Sequence, residues 1–281
     1  MTPSPSPIAP SSVDARARGL VDLERYPLLD PAGAAGDDLG PVVDRARAQL
    51  ASIGAAELPG FVHPAGVAQL VEDALALEPS AHHSGGLGTA YLGLPDESQP
   101  EGHPTRYLGP YGVGAVAYDQ FPASSPIRAV YEWEPLLRFV AAVLDRGEVF
   151  RYADPLGALN LAVMDDGDVL GWHFDQTDFV VSLAVRSSET GGDFEVAPRV
   201  RNVDDECYDA VARVLDGDTD EVLTLPMTPG TLLVFEGRWS LHRVSPIQGP
   251  TSRLVGLFGY DTAPDTNSSE LLKLVRYGRS A

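Results

Sequence analysis

Apolar and polar positions alternate differently in the two halves of the chain. From Val149 onward, short apolar runs are separated by Gly, Pro, Asp and Ser. GALNLAVMDDGDVLGWHFD reads as two strands around the turn DDGD. DFVVSLAV is apolar throughout, the pattern of a buried strand. GGDFEVAP is another strand, entered through a Gly pair. EVLTLPMTPGTLLVFEG, SLHRVSPI and SRLVGLFGYDT supply further strands, with MTPG as a turn. One helical stretch, DECYDAVARVLDG, interrupts them. Many short strands with one helical insertion predict a double-sheet jelly roll, a double-stranded β-helix of cupin-like architecture.

The first half has helical periodicity instead. SVDARARGLVDLERY is amphipathic, with Ser12 placed to cap it. PVVDRARAQLASIG follows the Pro/Gly/Asp-rich link LLDPAGAAGDDLG, and PAGVAQLVEDALALEPSA opens on Pro64. SSPIRAVYEWEPLLRFVAAVLDRG predicts one long helix packed on a sheet. Between them, after Gly85, LGTAYLGLP and TRYLGPYGVGAVAYDQF predict strands and irregular loops around an opening, and a lid over it. The expected fold class is therefore α+β. Residues 1–12, alternating Pro with Ser, are expected to be disordered. Residues 13–281 form one domain, helical to about 145, with those helices buttressing a jelly-roll core over about 149–262. The closing SSELLKLVRYGRSA reads as a surface tail or short helix.

Composition narrows the partners. With 281 residues and 44% hydrophobic positions, the chain can bury a large single core. A net charge of −20 excludes a nucleic-acid partner and an anionic membrane surface. The only cysteine, Cys207, lies in a predicted helix and can form no internal disulfide. The N-terminus lacks the basic start and apolar core of a signal peptide, and no apolar run approaches the ~20 residues of a membrane helix. A cytoplasmic location is expected. Composition leaves room for a homodimer.

Against this background two segments carry chemistry: GWHFDQTDF and GRWSLHRVSPIQGPTSR. On a strand, alternate side chains share a face, so His173 and Asp175 can bind one ion while Phe174 packs the other way. An H-x-D pair alone is weak evidence for a metal. His242 on a later strand adds a second imidazole, and two imidazoles with one carboxylate leave three positions open, as in the facial triad of non-haem Fe(II) oxygenases. Arg253, eleven residues on, has the planar fork that holds the far carboxylate of 2-oxoglutarate. Arg238 is its rival. Asn160, on the preceding strand, is a candidate donor to 2-oxoglutarate or substrate. Arg243 should point away from the metal, and the adjacent His82 and His83 are assigned none. Trp172 and Trp239 are candidate pocket walls, and Arg106 a candidate partner for a substrate carboxylate. A cupin-like metal-binding protein could use the same triad but needs no anchor such as Arg253; a Zn(II) or Mn(II) hydrolase or isomerase could also use it, and oxygen consumption coupled to 2-oxoglutarate decarboxylation discriminates the three.

From about Phe150 to Thr262, DGDVLGWHFDQTDFVVSLAV, GGDFEVAP, GTLLVFEGRWSLHRVSP and SRLVGLFGYDT resemble the Fe(II)/2-oxoglutarate-dependent oxygenases related to the free-lysine halogenases. The resemblance implies that His173, Asp175 and His242 bind Fe(II) and that Arg253 holds 2-oxoglutarate, with O2 as the oxidant. It implies C–H oxidation of a small free amino acid or derivative in specialised metabolism. Halogenases of this kind carry Gly or Ala in place of the metal carboxylate. Asp175 therefore implies hydroxylation, desaturation or oxidative cyclisation instead. The lysine-specific pattern has an acidic residue just before the strand leading to the metal. Pro155 stands there, with Asp154 beside it, which ranks an aliphatic amino acid above lysine.

Overall fold

The computed structural model describes residues 12–28 and 39–281. The expected disorder of residues 1–12 falls, but for Ser12, outside the described residues. Seven helices are present among them: α1 (Ser12–Arg18), α2 (Gly40–Ile53), α3 (Pro64–Leu77), α4 (Pro126–Glu132), α5 (Glu134–Val143), α6 (Tyr208–Leu215) and α7 (Glu270–Tyr277). Strands β1 (Ala55–Leu58), β2 (His82–Thr89) and β3 (Leu108–Val116) lie in the N-terminal half. The rest are β4 (Phe150–Arg151), β5 (Leu159–Met164), β6 (Val169–His173), β7 (Val180–Arg186), β8 (Phe194–Ala197), β9 (Leu223–Leu225), β10 (Leu232–Phe235), β11 (Leu241–Val244), β12 (Arg253–Phe258) and β13 (Tyr260–Asp261). No helix among the described residues is long and apolar enough to cross a membrane.

The barrel runs β1-β10-β7-β12-β5-β3-β6-β11-β8-β9, antiparallel, with β2 added alongside β3. It is the expected double-stranded β-helix. The strand β3 joins its two faces: residues 114–116 pair with β5, and Tyr111 and Gly112 pair with β6. So the N-terminal half contributes strands to the barrel as well as helices. The helices cover one face. Leu159, Leu161, Val163, Val181, Leu183, Val185, Leu254 and Phe258 are buried in the same core as α2 to α5.

The segment predicted as one helix is two. Trp133 is extended between α4 and α5. Pro135 cannot donate to the Tyr131 carbonyl four residues back. That carbonyl instead accepts Tyr260 Oη (2.8 Å) and Arg151 Nε (3.3 Å), which fastens the helices to the β4–β13 ribbon. α1 also ends early, at Arg18 before Gly19. Cys207 precedes α6 rather than lying inside it, with φ of 49°.

Candidate active site

Alternation places three layers of side chains inside the barrel. Since Leu159, Leu161 and Val163 face the helices, Asn160, Ala162 and Met164 face inward. Pairing sets Leu257 level with Asn160 and Ser182, and Val255 level with Ala162 and Ala184. Arg253 is level with Met164, one layer deeper.

The opposing strands β6 and β11 carry the donors, and a β-bulge decides which way they face. His242 is opposite His173, whereas Val244 is opposite Leu170. β6 thus spends three steps where β11 spends two, and the extra residue reverses its alternation. Leu170 packs inward with Met164 and Val244. Trp172 and Phe174 turn outward against Ala197, Val211 and Leu241, so His173 and Asp175 turn inward. Gly171 sits in the bulge, where a Cβ would come within 2.7 Å of the Pro110 carbonyl oxygen.

The donors converge. Asp175 Oδ2 lies 3.5 Å from His242 Nε2, and its Oδ1 lies 4.0 Å from His173 Nε2. The His173 Nδ1 is 2.8 Å from the Gly171 carbonyl, and the His242 Nδ1 is 3.0 Å from that of Ser240. A carbonyl only accepts, so both protons sit on Nδ1 and both Nε2 lone pairs are free towards Asp175. Phe235 and Phe194 pack against His242 at centroid distances of 4.7 and 5.6 Å. Burial, then the neighbouring His242, pull the His173 imidazole down to about 4 against the opposing pull of Asp175. A neutral imidazole is the ligand form. Two nitrogens and one carboxylate on one side fit Fe(II) with open positions.

Gly237 was not legible as a site residue. Its carbonyl accepts the Asp175 amide (3.0 Å), and a Cβ there would fall within van der Waals contact of the Asp175 carboxylate and 2.9 Å from its Cβ. Gly237→Ala should therefore displace the carboxylate. We expect at least about a tenfold loss in metal affinity, the scale seen when a ligand's support is removed, with the fold intact by circular dichroism. Unchanged metal titration would show that the carboxylate moves freely. Ser182 was also missed, although it is the single polar position in an apolar run, the signal that could have found it.

Arg253 lies on the inward side of β12. It is buried and has no carboxylate within ion-pair distance among the described residues; its Nη1 has only Met164 Sδ, at 4.0 Å. Burial pulls the guanidinium down to about 10, with Asp193 opposing. It lines a cavity of about 210 Å³ with Ala184, Val255 and Met227. The small side chains of the middle layer leave that space, and a buried cation without an anion is costly until one arrives. Asn160 and Ser182, in the layer above, have side chains with no protein hydrogen bond among the described residues. These features fit a dianionic co-substrate running from metal to Arg253.

Other candidates are placed elsewhere. Arg238 is ion-paired with Asp178 (2.7 Å) and donates to the Gln176 carbonyl. Arg243 pairs with Glu195 and lies over Trp172 (4.7 Å) on the outer face, so Trp172 does not wall the pocket. Trp239 lies beside Arg201, whose guanidinium is 5.9 Å from its ring. Arg106 is engaged by Glu97 (3.1 Å) and the Gln99 carbonyl (2.9 Å). Asp154 is buried, accepts from Leu156 and Ser268 amides (both 2.9 Å), and pairs with Lys273 at 3.2 Å. It is structural in this arrangement. A second group, His83 with Asp165 and Asp168, lies at the surface, and Asp168 Oδ2 is committed to the Asp165 amide (2.8 Å).

The barrel and its inward donor set define a protein of the 2-oxoglutarate-Fe(II) oxygenase fold. An oxidoreductase of that family from Burkholderia pseudomallei is similar, with TM-score 0.50 and 17% identity over 79% of this chain and 91% of its own. AviO1 from Streptomyces viridochromogenes aligns with TM-score 0.52 and 18% identity, covering 82% and 97%. The epimerase SnoN from nogalamycin biosynthesis aligns with TM-score 0.53 and 13% identity, covering 79% and 81%. No curated protein matches. Residues 114–273, more than half of the chain, match the model of the halogenase D family, and the chain belongs to that family.

Proposed function

We propose that this protein is an Fe(II)/2-oxoglutarate-dependent oxygenase that oxidises an unactivated C–H bond of a small free amino acid or a close derivative. The observation that carries this reading is the alignment of two elements inside one barrel: an inward His173–Asp175–His242 donor set above, and a buried cation without a counter-anion, Arg253, below. His173, Asp175 and His242 would hold the iron, and Arg253 the far carboxylate of 2-oxoglutarate. Iron with 2-oxoglutarate and O2 supplies an oxidant able to take hydrogen from carbon, at the cost of one decarboxylation. The protein's part is to orient and to exclude water. Phe235 and Phe194 pack around His242, and Asn160 and Ser182, both level with Leu257, would offer polar contacts to co-substrate or substrate. A non-oxygenase cupin would have no use for Arg253, and 2-oxoglutarate turnover separates the oxygenase from a hydrolase.

Family membership raises halogenation, and Asp175 argues against it. The carboxylate occupies the side of the site where a halide would have to bind, and Gly237 leaves room for it there. Hydroxylation, with desaturation or ring closure as variants, is the reading favoured here. The saturated carboxylate of Asp154 disfavours a cationic side chain such as that of lysine, so an aliphatic amino acid ranks first.

The test is an aerobic panel of free amino acids with Fe(II), 2-oxoglutarate and excess chloride, read for succinate and product mass. We expect succinate release with one or more of them. The product should gain one oxygen or lose two hydrogens, and should carry no chlorine. A chlorinated product would refute the role given to Asp175. Succinate release only with a carrier-bound or larger metabolite would refute the substrate class. Absence of any 2-oxoglutarate turnover would refute the oxygenase itself.

A further inference from the structure

Metal-ligating groups also converge on the outside of the barrel, where β3 crosses between its two faces. Side chains of β3 alternate. Val113 packs inward with Met164 and Val244, so Gly112 and Gly114 turn outward. Two elements lean over these glycines from opposite edges of β3. On one edge β2 sets His83 level with Gly114. On the other, residues 165–168 form the turn that joins β5 to β6, the two strands that pair with β3 there.

The glycines leave the space that the donors use. A Cβ on Gly112 would come within 2.6 Å of Asp168 Oδ1. One on Gly114 would lie 2.8 Å from His83 Cε1 and 2.9 Å from its Nε2. The turn is held from behind. The Gly167 amide donates to the Ile247 carbonyl (3.0 Å), the Ile247 amide to the Asp168 carbonyl (2.9 Å), and the Gly249 amide to Asp166 Oδ1 (2.9 Å). Asp168 Oδ2 accepts the Asp165 amide, which leaves Oδ1 directed over Gly112.

One donor atom from each of His83, Asp165 and Asp168 lies within 4.8 Å of the other two. His83 Nε2 is 3.9 Å from Asp165 Oδ2, against 4.0 Å between His173 Nε2 and Asp175 Oδ1 inside the barrel. Donors bound at about 2.0–2.2 Å to one tetrahedral ion stand roughly 3.4 Å apart, so closure takes about half an ångström. No arginine or lysine comes within ion-pair distance of Asp165 or Asp168 among the described residues. Two carboxylates are therefore held close together without a fixed cation, in a chain of net charge −20 that attracts cations from solution. His82 turns the other way, onto Gly278, so β2 supplies one imidazole. Alternation along β2 separates the two histidines; it does not show the turn that meets His83 across β3.

We propose that His83, Asp165 and Asp168 form a second divalent-cation site, suited to Zn(II), that ties the β2–β3 hairpin to the β5–β6 turn. Imidazole and carboxylate are both Zn(II) ligands, and water completes the shell at this half-exposed position. Fe(II) stands below Zn(II) in the order of divalent affinities. One equivalent of iron therefore goes to the centre with two imidazoles, and Zn(II) is the probe for the outer site. The proposal is independent of the oxygenase reading.

The experiment titrates Zn(II) into the full chain, stripped of metal, by equilibrium dialysis. Four forms are compared: the unmodified protein, His83→Ala, the double variant His173→Ala with His242→Ala, and all three substitutions together. We expect two, one, one and no ions bound, in that order, with the fold of each form checked by circular dichroism. Zn(II) should raise the melting temperature of the double variant and leave that of the triple variant unchanged. Gly114→Ala keeps every donor but crowds the His83 ring. Added to the double variant, it should weaken the remaining site by about tenfold or more. No ion bound by the double variant, or one retained by the triple variant, would overturn the proposal. An affinity unmoved by Gly114→Ala would overturn the role given to the glycines. The two centres are separable. A single ion in the unmodified protein that His83→Ala removes and the double variant keeps would sink the barrel centre alone, and the reverse pattern would sink the outer site alone.

Discussion

His173→Ala should abolish turnover and remove most of the affinity for iron. The three donors act as one unit, with Asp175 Oδ2 3.5 Å from His242 Nε2 and Oδ1 4.0 Å from His173 Nε2. Removing even the partner that orients a ligand costs about ten- to a hundredfold in affinity, and removing the ligand itself should cost at least the upper figure. His173 is suited to be lost cleanly: its ring bonds only the Gly171 carbonyl of its own bulge. Removing a half-buried polar ring without another protein hydrogen bond should leave the barrel folded. The control is His83→Ala, which disturbs the exposed group formed with Asp165 and Asp168. It should leave iron stoichiometry and rate unchanged. Full iron occupancy in His173→Ala, or loss of iron in His83→Ala, would move the centre to the wrong side of the barrel for this reading.

Arg253→Leu should raise the apparent 2-oxoglutarate constant by about tenfold or more, because truncating one partner of a buried charge pair costs roughly 2–5 kcal/mol. The sign of the stability change is a second, independent readout. Without co-substrate, Arg253 is a buried cation facing a methionine sulfur, and burial has already lowered its affinity for the proton. Replacing it with an apolar side chain should leave the ligand-free melting temperature equal or higher. The rise in melting temperature on adding 2-oxoglutarate should shrink, since that rise follows the ratio of ligand concentration to dissociation constant. Arg238→Leu breaks a rim ion pair with Asp178 and should leave the 2-oxoglutarate constant near its original value. The reverse outcome, a large effect from Arg238 and none from Arg253, would exchange their roles.

Much of this was legible in the chain because it depends on local pattern. Short apolar runs punctuated by turn residues determined the strands of the second half, and helical periodicity determined α2 and α3. The residue types of the candidate donor set, and Arg253 as a candidate anchor beside Arg238, were also readable. Two imidazoles, a carboxylate and a later guanidinium are chemically sufficient wherever the strands bring them together. Pro135 was readable in principle as the break between α4 and α5, but the apolar spacing across it ran on without interruption. The glycine-rich β3 was readable as strand, not as the piece that joins both faces of the barrel.

What remained was decided by contacts between residues far apart in the chain. Plain alternation turns His173 and Asp175 together, and says nothing of which face of β6 they share. The bulge at Gly171 settles that, and it exists because β6 must register with β11 on one side and β3 on the other. Whether an arginine is free depends on which carboxylate the fold brings to it: Glu97 reaches Arg106 and Asp178 reaches Arg238, while no carboxylate comes within ion-pair distance of Arg253 among the described residues. Asp154 stands beside Pro155 as an available acid in the sequence, yet Lys273, more than a hundred residues later, neutralises it. Gly237 matters only because the Asp175 carboxylate lies where its side chain would be. Sequence determined which groups could do chemistry; long-range packing, through steric exclusion and charge pairing, decided which of them are left free to do it.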